Sequence, residues 1–410
     1  MPRSDRRRAC TGVLAALTVL LAGCGTISGR AEPQLDVGAY DTRPLAVPPD
    51  NDNGYSRLVE SARLSDVVIN PGSLQTGLTD FSTAPVPTPN LTVGILADSV
   101  RPALLADGML AGFSFGGLDH PDAQGEPQIG VSTALRITIL RMRDATAARA
   151  AAADIDTDDF AVNPDNRSIG IPNYPDAHAH WRPQVPTMAA TVAHGAFVVT
   201  LFIAHPTPDS TAMADLAAAT FAAQLGRLDA FVPTPADTLT SLPLDRDGIL
   251  QRTLPVAPRK WPYPSAYQQA IGKVAGWGGY RRSTGLVYGE PVADGWLNPP
   301  GEGDSIPVER LAIVDWDDLI RLPDAVSATK ALRKLRARLV GAGYDAVSPP
   351  PGVPDAGCYR NAAVTTDAQR ELGYVCWVMD GRYVANVHGA DETAVHQKAA
   401  AQYALLVNSE

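Results

Sequence analysis

The chain has 410 residues, of which 45% are hydrophobic, and its formal net charge at neutral pH is −10. This length and composition predict a globular protein of two or three domains with buried cores. The acidic balance excludes the basic surface that nucleic-acid binding requires, so we expect no nucleic-acid partner.

The first 23 residues have the pattern of a bacterial export signal. Basic residues precede an apolar run, 9–22, that is shorter than the roughly 20 residues of a membrane-spanning helix. Leu-Ala-Gly directly precedes Cys24, which is typical of a lipobox. We therefore expect cleavage before Cys24 and a lipid anchor on its thiol that holds the protein at the outer face of the plasma membrane. The alternative is a plain secretory signal followed by an ordinary cysteine.

Proline-rich and polar stretches divide the rest of the chain. They predict a tether over 24–53, a first domain over 54–230, a linker over 231–264 and a second domain over 265–410.

In the first domain, β-branched and alanine-rich segments predict strands and helices in alternation. A short helix is expected over 102–110. The later elements are a strand at 135–142, a helix at 144–153, strands at 188–193 and 196–204, and a helix at 210–225 capped by Asp209.

The second domain repeats this order of elements. It predicts a strand at 310–316, a helix at 325–340, a hairpin of 373–379 and 382–388 around Asp380-Gly381, and a final helix at 390–406. Short matching strings support a duplication, Pro175-Asp176-Ala177 with Pro354-Asp355-Ala356 and Ala111-Gly112-Phe113 with Ala275-Gly276-Trp277. The predicted fold is α+β, with two similar domains that each have a mostly antiparallel sheet and helices on one face. The alternative is that two unrelated domains of this class are similar by chance.

Besides Cys24, two cysteines remain after the predicted cleavage, Cys358 and Cys376. In an oxidising envelope, an isolated pair 18 residues apart is most simply a disulfide. A metal site or a redox pair is the alternative, but no further ligands stand at a recognisable spacing. In the aligned first domain Ala190 takes the place of Cys376, so we expect no disulfide there.

Residues 112–116 match the Gly-x-Ser-x-Gly motif of serine hydrolases, with Ser114 as the candidate nucleophile. The motif requires a strand before the serine and a helix after it. The sequence after Ser114 does not predict a helix, so Ser114 is interpreted as incidental and no catalytic residue is assigned. If it were catalytic, its histidine would be His194, His205 or His388.

Three other groups of residues are candidate sites. Asp176, His178 and His180 alternate as metal ligands could, but the repeat favours a structural role, and no metal or other cofactor is expected. The acidic run Asp315, Asp317 and Asp318 could supply acid–base carboxylates, but it more simply indicates a strand end that passes into a helix start. The aromatic residues Trp261, Tyr263, Tyr267, Trp277, Tyr280 and Tyr288 could line a ligand pocket, although a domain core is the simpler interpretation.

The lipobox, the segments 35–44 and 244–250, and the C-terminal cysteine hairpin together resemble lipoproteins of the mycobacterial and nocardial cell envelope. The resemblance covers nearly the whole mature chain. It implies an envelope location and a two-domain architecture, and no catalytic residues.

We therefore expect a non-enzymatic, membrane-anchored lipoprotein that binds an unknown small molecule or an envelope protein. The alternatives are a solute-binding lipoprotein of a transporter and a serine hydrolase that uses Ser114.

Overall fold

The computed structural model describes residues 35–49, 52–268, 272–278, 281–364 and 367–409. The α-helices there are α1 (Asn53–Arg63), α2 (Arg101–Ala106), α3 (Ala145–Phe160), α4 (Ser210–Leu228), α5 (Glu290–Leu297), α6 (Ala325–Gly341) and α7 (Glu392–Val407). The strands are β1 (Asp80–Pro85), β2 (Ala111–Leu118), β3 (Ala134–Arg141), β4 (Arg167–Ser168), β5 (His178–Trp181), β6 (Thr187–His194), β7 (Phe197–Ala204), β8 (Ser265–Gln268), β9 (Arg281–Thr284), β10 (Leu286–Tyr288), β11 (Arg310–Val314), β12 (Asp317–Arg321), β13 (Asp345–Val347), β14 (Gly357–Arg360), β15 (Tyr374–Asp380) and β16 (Tyr383–Gly389).

Two seven-stranded sheets share one topology. The first has the order β1-β2-β3-β7-β6-β5-β4 and the second the order β10-β11-β12-β16-β15-β14-β13. Every pair of neighbouring strands in both sheets is antiparallel. The predicted α+β fold with two similar domains is confirmed, because the same strand order recurs with a helix in the same two places.

The helices lie on both faces of each sheet, whereas the sequence predicted one face. In β3, Ile139 packs in the core that contains α4, while its neighbour Leu140 packs with α3. In β12, Ile320 packs with α6 and Leu319 with α7. Successive side chains of a strand point to opposite faces, so these strands, apolar on both, need a cover on each side.

The two sheets share a continuous core. It runs from the α4 side of the first sheet to the α6 side of the second. Where they meet, the ring of Phe113 in β2 lies 5.7 Å from that of Tyr288 before α5. The Ser65 hydroxyl accepts a 2.7 Å hydrogen bond from the backbone N–H of Gly289.

A buried carboxylate fastens α1 to the first sheet. Glu60 has no exposed surface, and it pairs with Arg141 of β3 and with Arg63. It also accepts a 3.1 Å hydrogen bond from the backbone N–H of Thr234, which follows α4. A carboxylate buried this way is stable only with all of these donors, so the cluster fixes three parts of the chain to one another.

The segments expected as tether and linker are packed where the structure describes them. The side chain of Asp36 accepts a 3.1 Å hydrogen bond from Gln397 of α7, and the carbonyl of Thr42 accepts one of 2.9 Å from Asn408. After α4, Leu244 and Ile249 are buried in the core of the second domain. Over 35–49 the chain is therefore part of the fold, while residues 24–34 lie outside the described residues.

The acidic run expected to start a helix forms a tight hairpin instead. Asp315 has a φ of +58°, and Asp317 begins β12, which pairs with β11. The sequence predicted one strand before α6, whereas the structure has two, β11 and β12. The alignment of the halves therefore changes: β3 corresponds to β12, the strand that leads into α6, and not to the strand at 310–314. The proposed match of 111–113 with 275–277 is therefore wrong, because residues 275–277 lie in a loop.

Among the described residues, no helix is both long and apolar enough to cross a lipid bilayer. The predicted signal peptide and Cys24 fall outside the described part of the chain.

Candidate functional site

A cavity of about 640 Å³ lies on the α3 side of the first sheet. Its floor is formed by β3, β7, β6 and β5, and its walls by the end of α3, the loop 94–99 and the loop around Gly276. Ligand pockets commonly have volumes of about 300–1,000 Å³, so this cavity is large enough for a small organic molecule.

Strand register sets the floor of the cavity. Arg136 stands opposite Phe202, Phe202 opposite Ala189, and Ala189 opposite His180. With roughly 4.8 Å between strands, Arg136 and His180 are about 14 Å apart across the sheet. The floor therefore has a basic side chain at each edge, with a ring and a methyl group between them.

Arg136 is 2% exposed and is held by hydroxyl groups and an aromatic ring. Its guanidinium donates to the Ser114 hydroxyl at 3.0 Å and to the Ser82 hydroxyl at 2.6 Å. The same group lies 4.3 Å from the ring centre of Trp277, a cation–π distance. These contacts fix the guanidinium in position at one edge of the cavity.

His180 forms the opposite edge and pairs with two carboxylates of α3. Its Nδ1 lies 2.9 Å from Asp156 and its Nε2 3.5 Å from Asp159. Burial alone would lower the pKa of His180, but the hydrogen bonds and negative charges of Asp156 and Asp159 outweigh it and raise the pKa to about 9. The imidazole is therefore a cation at neutral pH.

Arg182 follows β5, two residues beyond His180, and also lines the cavity. Its Nε is buried, and none of the described residues accepts a hydrogen bond from its side chain or forms an ion pair with it. A buried N–H without an acceptor lowers the stability of the fold, because the group has lost its hydrogen bonds to water.

The loop that closes the cavity requires glycine at one position. Gly276 has a φ of +89°, and a Cβ there would meet the ring of Phe202 at 2.5 Å. Its backbone N–H donates a 2.9 Å hydrogen bond to the carbonyl of Gly94 in the opposite wall. The loop between the domains is thus held directly against the floor of the first sheet.

The structure places Ser114 in the middle of β2, without the strand-to-helix turn of a nucleophile elbow. It is fully buried, and its Oγ lies 2.9 Å from Thr138 Oγ1 besides accepting from Arg136. Of the histidines considered as partners, His194 pairs with Asp229 at 2.6 Å, His205 Nδ1 lies 2.7 Å from the carbonyl of Thr207, and His388 lies near Asp317. None of the three forms a hydrogen bond with Ser114.

The histidines considered as metal ligands share an acidic neighbour instead. His178 and His180 both approach Asp156, at 4.0 Å and 2.9 Å, while Asp176 is exposed. No group of three or more His, Cys, Asp or Glu side chains in the described ranges is arranged to hold a metal ion.

The acidic residues of β12 have separate partners. Lys398 Nζ lies 2.6 Å from Asp317, and Asn386 donates a 3.1 Å hydrogen bond to Asp318. Burial would raise the pKa of Asp317, but His388 and Lys398 outweigh it and lower the pKa. Burial raises the pKa of Asp318 to about 6. Neither residue lines the cavity of the first domain.

The structure joins Cys358 to Cys376 in a disulfide between β14 and β15. At the corresponding places of the first sheet, Ala179 stands opposite Ala190. The aligned position thus has no disulfide, as the repeat predicted.

The aromatic residues of the interdomain region that the structure describes do not form one pocket. Tyr263 stacks on Tyr55 at 4.9 Å, Tyr288 packs on Phe113, and Trp277 covers Arg136. Trp261 belongs to the core of the second domain, and Tyr280 lies outside the described residues.

Sequence reasoning missed Arg136 and Arg182, the two arginines that line the cavity. Arg136 did carry a signal, because it is a charged residue inside the apolar strand 135–142. Arg182 carried none, since it follows a short strand in a polar loop.

Comparison with known proteins agrees with two domains. A family model described as domain of unknown function (DUF7373) N-terminal matches residues 47–244, and the DUF7373 C-terminal model matches residues 302–409. The comparison with curated proteins finds no match.

Two solved structures were also found. The extracellular domain of PknH from Mycobacterium tuberculosis is 12% identical, with a TM-score of 0.30, covering 47% of this chain and all of that chain. DynU16, a putative protein of the dynemicin biosynthetic locus, is 12% identical, with a TM-score of 0.09, covering 81% of this chain and 98% of that one. These scores are too low to establish a common fold. The two family matches together span most of the chain in the expected order, so the chain belongs to the DUF7373 family.

Proposed function

We propose that this protein is a non-enzymatic binding module of the cell envelope, and that its first domain binds a small molecule in the cavity of the first sheet. The observation that carries the proposal is a cavity of ligand size with fixed polar groups at its edges and apolar groups between them.

The walls suit a ligand with an apolar part. Leu96 and Ile95 of the 94–99 loop line the cavity together with Phe202 of the floor. Burial of apolar surface would supply affinity, while the polar groups at the edges would set the orientation.

The alternatives receive less support. Ser114 is buried in a strand and held by Arg136 and Thr138, which does not favour a nucleophile. A solute-binding lipoprotein of a transporter would be expected to have parallel βα units, whereas all the strand pairs of both sheets are antiparallel.

The disulfide supports an oxidising compartment outside the cytoplasm. Together with the lipobox, it supports a location at the outer face of the plasma membrane with Cys24 as the lipid anchor. Intact mass of the protein from its own membranes tests this. Acyl chains on Cys24 are expected, and an unmodified Cys24 would contradict the anchor.

Binding of the neutral dye phenylnaphthylamine tests the cavity. We expect saturable binding with one dye per chain, which Ala189→Trp abolishes because the indole fills the cavity above β6. The control is Ala222→Trp, since Ala222 is exposed on α4, on the opposite face of the sheet. No saturable binding, or binding that Ala189→Trp leaves unchanged, would contradict the proposal.

A further inference from the structure

The cations around the cavity differ in how far the protein satisfies them. His180 pairs with Asp156 and Asp159, and Arg136 donates to two serine hydroxyls. Arg182 has no acceptor among the described residues.

The carboxylates that line the cavity do not compensate Arg182, because each faces another cation. Asp159 lies 3.5 Å from His180, and Asp98 lies 3.5 Å from Arg101. The Arg182 guanidinium is therefore a positive group at the edge of the cavity, with a buried N–H and without an ion-pair partner among the described residues.

We infer, on the basis of the proposed function, that the ligand is an amphipathic organic anion whose acidic group pairs with Arg182. The planar guanidinium presents donors that match the oxygens of a carboxylate, sulfonate or phosphate in a two-pronged contact. The apolar body of the ligand lies over Phe202 and Ala189, between the two basic edges.

The negative charge of the whole chain makes the binding of an anion depend on a local positive group. With a net charge of −10, the protein repels anions in general, so an anion that binds must do so through a local group. Attraction by Arg182 is stronger in a partly buried cavity than at the surface, since screening by water is weaker there.

Two dyes that share one aromatic skeleton test the inference. Anilinonaphthalene sulfonate carries a sulfonate that phenylnaphthylamine lacks. We expect the anionic dye to bind about tenfold more tightly, as one charge-assisted contact would give. Arg182→Gln should remove that advantage, so that it weakens the anionic dye about tenfold more than it weakens the neutral dye, while Arg182→Lys should keep part of it.

Arg149→Gln is the matched control, because it removes the same charge from an exposed position on α3. It should leave both affinities unchanged. If Arg149→Gln weakens the anionic dye as much as Arg182→Gln does, the effect is one of overall charge and the inference fails.

Competition against the anionic dye separates the contribution of the ligand's acidic group from that of its apolar part. Decanoate has both an acidic group and an apolar tail, so it should displace the dye. Decanol and inorganic phosphate each lack one of the two, so they should displace it far less. Equal competition by decanol, or equal competition by phosphate, would overturn an amphipathic anion as the ligand.

The two proposals fail in different ways. If neither dye responds to Ala189→Trp, the cavity is not a binding site and both proposals fall. If both dyes bind in the cavity with equal affinity, or if Arg182→Gln weakens both alike, only the preference for an anion falls.

Discussion

The guanidinium of Arg136 lies 4.3 Å from the ring centre of Trp277. Arg136 belongs to the central part of the first sheet, whereas Trp277 comes from the loop that leads to the second domain. Trp277 is 2% exposed, and its Nε1 donates a 3.1 Å hydrogen bond to the carbonyl of Gly125. These two contacts therefore help to anchor the loop that closes the cavity.

Replacing this indole should loosen the cavity wall. We expect Trp277→Ala to lower the free energy of unfolding by about 3–5 kcal/mol, as for other large buried aromatics, and to weaken the binding of phenylnaphthylamine. Trp316→Ala is the control, because Trp316 also lies on an arginine, Arg282, but is partly exposed and belongs to the second domain. Denaturant titration and dye binding measure both effects. Unchanged dye binding in a folded Trp277→Ala protein would contradict the role of this loop.

Ser114 should be structural. We expect Ser114→Ala to lower the free energy of unfolding by about 1–2 kcal/mol, because Arg136 loses an acceptor in a buried site. Ser241→Ala, at an exposed serine, should have little effect. A fluorophosphonate probe should not label the wild-type protein. Labelling that disappears in Ser114→Ala would favour a serine hydrolase instead.

The duplication predicts where a second disulfide can form. Ala179 and Ala190 are buried and stand opposite each other, as Cys358 and Cys376 do in the second sheet. The double variant Ala179→Cys/Ala190→Cys should form a disulfide spontaneously and gain about 2–3 kcal/mol of stability that a reductant removes.

Thiol counting and denaturant titration with and without reductant measure this gain. In the control Ala179→Cys/Ala189→Cys, the second cysteine points to the opposite face, so both thiols should remain free. A bond in the control, or none in the designed pair, would contradict the register.

The pair of His180 with Asp156 and Asp159 should make stability depend on pH. The pKa of His180 rises from 6.5 to about 9 on folding, so the folded state holds the proton more tightly. Its contribution is full below pH 6.5 and is lost as the pH rises through about 9, a loss of roughly 3 kcal/mol.

Denaturant titrations between these two pH values measure the slope. His180→Gln should flatten it, whereas His194→Gln, which removes a more exposed histidine beside Asp229, should leave it unchanged. An equal slope in wild type and His180→Gln would show that another group is responsible.

The elements that local patterns specify were predicted well. The hairpin around Gly381 follows from alternation and a turn that needs a positive φ, and the cap at Asp209 follows from a side chain that accepts backbone N–H groups. The strand beginning at Asp317 was missed because its charge resembles a helix start. It is a strand because it pairs with β11 and β16, and Lys398, from a distant helix, compensates the charge of its buried carboxylate.

The cavity could not be predicted from local sequence. It exists because the loop around Gly276 returns to the face of the first sheet, far along the chain from Arg136 and Arg182. Short-range periodicity contains no information on such a contact. A charged residue within an apolar strand, as at Arg136, was the available signal.

A crystal structure of the protein with bound anilinonaphthalene sulfonate tests the central claim most directly. The dye should lie in the cavity, with its rings over Phe202 and Ala189 and its sulfonate oxygens within hydrogen-bond distance of Arg182. A dye bound elsewhere, or one in the cavity with its sulfonate turned away from Arg182, would contradict this account.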